Sequence, residues 1–388
     1  MSRSKYVSVG DTGGLILDGK YDDFATNAGL QIVKNEIVSA IEASNVQPIS
    51  FVKRPKTHLH YQQNTDRSGS YRPFVSYYKG RDYGVDHGWI CYTTDGWETK
   101  TTGIRANLVS NGLPVAGVAW EDGSMCVVGR NGDIYTLSDL EDDSPVVTLE
   151  GLKFVNFNVD FYSDGINRYV LAGEYTSGEE QNNLYLSVDG GHTFSVIKTT
   201  ITRNPGGNNH WHAVKYDPYS GAIWACQGDG ANAGIFFSYD LGETWHEVDY
   251  QGERHQPTLV MPFPDRVVFG EDSSTQTPGL FEYIRAEPRE TVTLQRALEF
   301  RTDKRANHYY PQPSKTAIFD SNTAYVLFSD TVGDPDLSYI YATGDGGNTW
   351  HLVKVSHRHL WILGQTLSGE LITVADGGWY KSKQIEWE

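Results

Sequence analysis

Histidine and carboxylate groups recur in this chain at spacings that could do chemistry. Of its 12 histidines, most fall in short motifs: His58 and His60 in HLH, His210 and His212 in HWH, His255 in RHQP, His308 in NHYYP, and His357 and His359 in HRH. A neutral imidazole donates from one nitrogen and accepts at the other, ligates metals, and exchanges a proton near neutral pH. In an extended strand, HxH spacing places both rings on one face. Carboxylates form a second series, closing apolar runs at Asp229 (QGD), Asp272 (GED), Asp330 (FSD) and Asp376 (VAD). Brought together, the two series define three alternatives. One is a structural polar plug in which His and Asp satisfy each other and ordered water. Another is a ligand site in which His255, His308, Asp229 and Asp272 hydrogen-bond sugar hydroxyls while Trp211, Tyr309 or Tyr310 stacks on a ring. The third is chemistry centred on His210 and His212. That would be either a divalent metal drawn from His210, His212, His255 and His308, or a base removing the proton beside a uronate carboxylate. No HxxxH, HExxH, GxSxG or phosphate-cradling GxxxxGK[ST] spacing accompanies them.

Whether these residues meet depends on the elements that carry them. The chain repeats a short clip: SVDGGHTF (187–194), SYDLGETW (238–245), TGDGGNTW (343–350), and a weaker TTDGWETK from Thr93. The Asp carboxylate and the hydroxyls can accept from turn N–H groups, Gly supplies a positive φ, and the closing aromatic packs on a neighbouring sheet. Asp189 to Asp240 spans 51 residues, Asp240 to Asp345 spans 105, and Asp95 to Asp189 spans 94. The longer gaps are close to two repeats, and a unit of about fifty residues fits a four-stranded blade. Paired apolar strands such as AVKYDPYSGAIWACQGD and TAIFDSNTAYVLFSD precede the clips. Blade starts are expected near His58, Leu113, Phe154, His210, His255, His308 and His357. The predicted fold is all-β, a single seven-bladed β-propeller over 58–388, with six blades as the alternative. Too little chain remains after Leu360 for a full blade, so a strand from the first 55 residues is expected to close the ring. Within segment 1–57, Leu30, Val33, Ile37, Val38 and Ile41 fall at helical spacing. In a propeller the first strand of each blade lines the channel, which would gather the histidines and carboxylates at one mouth.

Composition narrows the partners. With 32 basic and 49 acidic side chains the formal net charge is −17, which disfavours nucleic acid and anionic membranes. Forty glycines and 13% aromatic residues suit short strands and tight turns. Cys91, Cys126 and Cys226 lie far apart without CxxC spacing and read as buried strand residues. The amino terminus lacks a signal-peptide core and no apolar run reaches membrane-spanning length, so synthesis in the cytoplasm without export is expected, with release by lysis within a virus particle as one route.

The clips resemble the Asp box, or bacterial neuraminidase repeat, of the sialidase superfamily. That resemblance covers most of the chain after His58. It implies a propeller, a tendency toward carbohydrate ligands, and structural roles for Asp95, Asp189, Asp240 and Asp345 on outer hairpins. The opening blade is similar to that of true sialidases: Tyr71-Arg72-Pro73, then Arg81-Asp82 and Asp86, then the clip at Thr93. By this similarity Arg72 and Asp82 become catalytic candidates, Arg because its planar fork clamps a carboxylate. The isoleucine of the family's opening motif is absent, and the other two clamp arginines and the Tyr/Glu nucleophile pair have no matching positions. The expected function is recognition of a glycan or polysaccharide, in a phage tail or other surface assembly with further virion proteins as partners. The alternative is a sialidase-like exo-glycosidase or a polysaccharide lyase.

Overall fold

The computed structural model describes residues 7–9, 15–17, 55, 62–68, 72–86, 89–105, 114–129, 132–141, 144–152, 158–176, 178, 180–248, 256–272, 279–286, 292–299, 309–311, 317–318, 321–330, 338–357, 360–366, 369–375 and 378–388. The chain divides into two units, Met1–Val52 and Lys53–Glu388. In the first, Val7–Val9 pairs antiparallel with Leu15–Leu17. The helix expected from Leu30 lies outside the described residues.

The second unit contains seven described sheets, antiparallel but for one parallel pair. The first has strands Arg72–Pro73, Asp82–Asp86, Trp89–Thr93 and Thr101–Arg105; the second starts at Pro114, the third at Val159, the fourth at His210 and the fifth at Pro257. In the sixth, Tyr309–Pro311 and Ala317–Ile318 both pair with Ala324–Asp330. The first, third, fourth and fifth sheets are meanders of strands joined in chain order, as apolar runs broken by turn residues dictate, while Val75–Ser76 adds to the second in parallel. The DPYSG turn shows the local chemistry. Asp217 accepts from the Tyr219 N–H (3.0 Å) and the Ser220 hydroxyl (2.6 Å), and Gly221 takes φ +73°.

Successive sheets pack face to face through apolar clusters. Trp211, Val214 and Phe236 of the fourth meet Leu171 and Leu184 of the third, while Trp224 and Phe237 meet Val267 and Phe269 of the fifth. Equivalent clusters join first to second, second to third, fifth to sixth and sixth to seventh. The last sheet reaches the first through Lys381, whose ammonium donates to the Gly96 carbonyl (2.8 Å) and pairs with Glu98 (2.8 Å). Cys91, Cys126 and Cys226 are all free and buried in these sheets.

The seventh sheet, Trp361–Gln365, Leu371–Ala375 and Gly378–Ser382, is completed by Gln62–Ser68. The completing strand therefore lies beyond the first 55 residues, and among the described residues the opening sheet starts at Arg72. The run QQNTDRS has no apolar alternation to mark it as a strand; backbone pairing to Gly378–Ser382 makes it one. In four sheets the innermost strand holds one extra residue against its partner: Val115, His212, Thr258 and Leu363. Such a bulge re-aims the side chain it carries.

The four clips fold alike. Asp189 accepts from the Ser187 hydroxyl (2.7 Å), the His192 and Thr193 N–H groups (3.0 Å each) and the Thr193 hydroxyl (2.6 Å), and Ser187 accepts from Gly191 N–H (2.8 Å). Asp95, Asp240 and Asp345 repeat the bonds to their flanking hydroxyls and turn. Two successive residues take positive φ in each, including Trp97 (+72°) where the other clips have glycine. The Thr244 hydroxyl and N–H, with Ser238, hold the Asp240 carboxyl down at about 2; burial opposes ionisation of Asp189, but its Thr193, Ser187 and His192 donors still lower it. Folded-state values below the unfolded one mean that the Asp189 and Asp240 clips contribute fully above about pH 4 and lose that contribution as acid protonates them. Asp189→Ala is expected to cost about 1 kcal/mol at neutral pH, as loss of a comparable turn or helix cap does. The difference from the unchanged chain should shrink as pH falls from 4 toward 2 in urea titrations. A difference independent of pH over that window would refute the assignment.

No helix among the described residues is long and apolar enough to cross a membrane.

Candidate functional site

Three consecutive sheets meet at the start of the strand His210–Tyr216. The segment leading into it, TRNPGGNN, is polar and held by buried amides of the same sheet. The Asn232 carbonyl oxygen accepts from Arg203 and Asn204 N–H (2.8 and 2.7 Å), and its amide donates to the Asn208 backbone carbonyl (3.1 Å). Gln227 donates to the Asn209 side chain (2.9 Å) and the Ile201 carbonyl (2.7 Å). These amides have few alternatives to one another once buried, so they order a segment that composition alone would leave loose.

Trp211 N–H then donates to the Glu174 carbonyl (3.2 Å), tying the fourth sheet to the third and setting Tyr175 beside His210. With a bulge at His212, both imidazoles still turn to the same place, their Nε2 atoms 2.9 Å apart. They are 2% and 3% exposed, too buried to exchange freely with solvent. Asp229, at the end of the pairing strand, closes the group: its Oδ1 lies 2.9 Å from His212 Nε2 and its Oδ2 3.6 Å from His210 Nε2. Gly228 makes room, since a Cβ there would overlap the His212 ring.

The surroundings fix protonation and orientation. His210 Nδ1 faces the Thr176 carbonyl at 3.3 Å, and because a carbonyl only accepts, Nδ1 carries the hydrogen. Burial first, and the neighbouring His212 second, outweigh Asp229 and lower the His210 pKa to about 4, so the ring is neutral at physiological pH. For Asp229, burial opposes ionisation, but the His212 hydrogen bond, the two imidazoles and the Asn208 amide outweigh it and hold the carboxyl well below its usual range. Asn208 donates to Oδ2 (3.1 Å) and Gln256, from the fifth sheet, to Oδ1 (3.1 Å); Gly230 N–H anchors the same Gln256 at 2.8 Å. Tyr175 stacks on His210 with ring centroids 3.9 Å apart. Burial, then the nearby Asp229 and Asp272 charges, raise its phenol pKa. Asp272 N–H donates to the Gln256 carbonyl (3.0 Å), placing that carboxylate on the same rim. The result is a buried imidazole pair under a half-buried rim of Tyr175, Asp229, Gln256 and Asp272.

The expected residues are distributed as follows. His210, His212 and Asp229 come together, with Asp272 near. Trp211 does not stack on a ligand: it is fully buried between the third and fourth sheets, with its indole N–H on the Asn182 carbonyl (3.2 Å). Strand alternation sends it to the face opposite the histidines. His58, His60, His255, His308, His359 and Asp376 lie outside the described residues, as do the side chains of Tyr309, Tyr310 and Asp330; His357 is exposed after the strand His351–Ser356. In the opening sheet, Arg72 pairs with Val85 and Pro73 with Gly84, which leaves Asp82 three positions farther along the ladder, about 10 Å away. The side chain of Arg72 lies outside the described residues. Arg81 lies over the Tyr78 and Tyr92 rings, 5.1 and 4.2 Å from their centroids. Arg168, Arg203, Arg266 and Arg285 each pair with a carboxylate in or between sheets. Tyr175, Thr176, Asn208 and Gln256 were missed. Asn208 and Gln256 stand one or two residues before inner strands, a position that could have drawn attention to them.

No family model and no curated protein matches the chain. Solved structures do match in fold. YCF48 from Cyanidioschyzon merolae aligns over 84% of this chain and 98% of its own, with 13% identity and a TM-score of 0.55. A GH74 xyloglucanase from Xanthomonas campestris aligns over 84% of this chain and 54% of its own, at 12% identity and a TM-score of 0.58. The extracellular domain of a putative one-component system from B. thetaiotaomicron aligns over 84% and 40%, at 10% identity and 0.53. The chain thus spans about half of the xyloglucanase and less of the sensor domain. Sheets packed in sequence and these shared folds together identify the chain as an all-β protein of the β-propeller class.

Proposed function

We propose that this propeller binds carbohydrate at the rim formed by Tyr175, Asp229, Gln256 and Asp272. The observation that carries the reading is the meeting of an aromatic face, ionised carboxylate and amide groups over a buried imidazole pair. Sugar rings offer C–H faces for stacking and paired hydroxyls for such acceptors and donors. The fold shared with a xyloglucanase is in keeping with that ligand class, while the site supplies the argument.

A panel of bacterial-surface and plant polysaccharides, screened by glycan array and followed by calorimetry, tests this. Binding is expected to at least one, weakened about tenfold by Tyr175→Ala through loss of the stacking face. Asp189→Ala, on an outer clip, should leave affinity unchanged. No binding across the panel, or an affinity indifferent to Tyr175, would remove the proposal.

One observation favours a second reading as a polysaccharide lyase. His210 places its Nδ1 hydrogen on the Thr176 carbonyl, so its Nε2 keeps the lone pair that would accept a proton from the carbon beside a uronate carboxylate. Uronate polymers would then gain the absorbance of a new double bond, and His210→Gln would abolish it.

A further inference from the structure

We propose that His210, His212 and Asp229 form a three-ligand site for a first-row divalent transition metal of the zinc class. Their donor atoms lie within 4.8 Å of one another. Around a metal with ligand bonds of about 2.0–2.2 Å, neighbouring donors sit about 2.9 Å apart at right angles and about 3.4 Å apart in a tetrahedron. The separations here are 2.9 Å between the two Nε2 atoms, 2.9 Å from His212 Nε2 to Asp229 Oδ1, and 3.6 Å from His210 Nε2 to Asp229 Oδ2. The two imidazole nitrogens, with one carboxylate oxygen beside each, already stand at separations that neighbouring donors of one coordination sphere take.

Hydrogen bonding points the same way. His210 spends its Nδ1 hydrogen on the Thr176 carbonyl, so Nε2 presents a bare lone pair to the group. His212 Nδ1 is buried without a hydrogen-bond partner, so the polar contacts of that ring are concentrated at Nε2. Its single hydrogen can serve either His210 or Asp229, whereas one cation would face all three groups, with the His212 hydrogen carried on Nδ1. The outer contacts match what metal ligands need: a backbone carbonyl orients one imidazole, and Asn208 and Gln256 orient the carboxylate. Two nitrogens and one oxygen select the zinc class over magnesium or calcium, which take all-oxygen sets.

A structural plug common to the fold would recur from sheet to sheet. At the same bulge, however, the second, fifth and seventh sheets carry Val115, Thr258 and Leu363. The fourth sheet alone among these four places an imidazole there and a glycine, Gly228, to admit it. With three protein ligands and a partly exposed carboxylate, coordination positions remain on the rim side. A sugar hydroxyl or carboxylate filling one of them rests on the carbohydrate reading; the metal site does not.

The full chain, stripped with EDTA and dialysed, is titrated with Zn²⁺ by calorimetry, and its Co²⁺ form is examined by visible spectroscopy. Uptake of one ion per chain is expected, with Co²⁺ bands distinct from those of the aquo ion, a raised melting temperature and no response to Mg²⁺. Asp229→Asn and His210→Gln should each weaken Zn²⁺ binding a hundredfold or more, and Gln256→Ala about tenfold. Melting curves in EDTA establish that each variant folds; if one does not, the other and the Co²⁺ spectrum of the unchanged chain decide. Substoichiometric uptake, an aquo-like Co²⁺ spectrum, or Zn²⁺ binding that survives in both folded variants overturns the site. Zinc binding without any polysaccharide binding would uphold the metal site and remove only the carbohydrate reading.

Discussion

Asp217→Ala is expected to lower the unfolding free energy by about 3–5 kcal/mol, the loss typical when one partner of a buried ion pair is removed. Asp217 is fully buried, accepts from three groups, the Tyr219 N–H, the Ser220 hydroxyl and the Trp224 indole at 3.4 Å, and forms an ion pair with Arg285 Nη1 at 2.7 Å. Arg285 belongs to the fifth sheet, where it also donates to the Phe263 and Arg266 carbonyls. The substitution therefore removes a turn acceptor and strands a guanidinium between two sheets in a single step. Urea unfolding measures the loss. Adding Arg285→Met should recover part of it, because the unpaired charge disappears with the second change. A loss below about 1 kcal/mol would show that the pair is solvated and not a tie between sheets.

Gly228→Ala is expected to destroy the candidate site while leaving most of the propeller intact. The new methyl group would overlap the His212 imidazole, which has Trp211 and its sheet behind it, so the ring must leave its position. Overpacking of this kind costs about 1–3 kcal/mol. The larger effect should be on binding: both Zn²⁺ and polysaccharide affinity should fall below detection, since His212 and Asp229 no longer share a point. Gly165→Ala is a useful contrast, because its φ of +84° lies in open space and reports backbone strain alone. Gly228→Ala with unaltered ligand binding would mean that His212 has room to rearrange and takes no part in the site.

Local chemistry was legible in the residues. The clips could be read because Asp, Gly and hydroxyl positions each answer a requirement of one turn, and Asp95, Asp189, Asp240 and Asp345 all take the same bonds. The strand pairs could be read because apolar runs and turn residues alternate within about fifty residues. The meeting of HWH with QGD was also legible, since two strands joined by the DPYSG turn place His210 opposite Gly228, next to Asp229.

Contacts between repeats were decided by tertiary structure. Tyr175 and Gln256 reach the site from the third and fifth sheets, and nothing in their own segments specifies the neighbour they meet. The bulge at His212 is an offset between two strands, so no single strand encodes it, whereas the two imidazoles on one face and Trp211 on the other follow the HxH spacing. The completing strand Gln62–Ser68 is polar and is a strand because Gly378–Ser382 offers it an edge. Periodicity records what each residue requires of its chain neighbours, whereas a site built at the junction of three sheets depends on which surfaces the packing brings side by side.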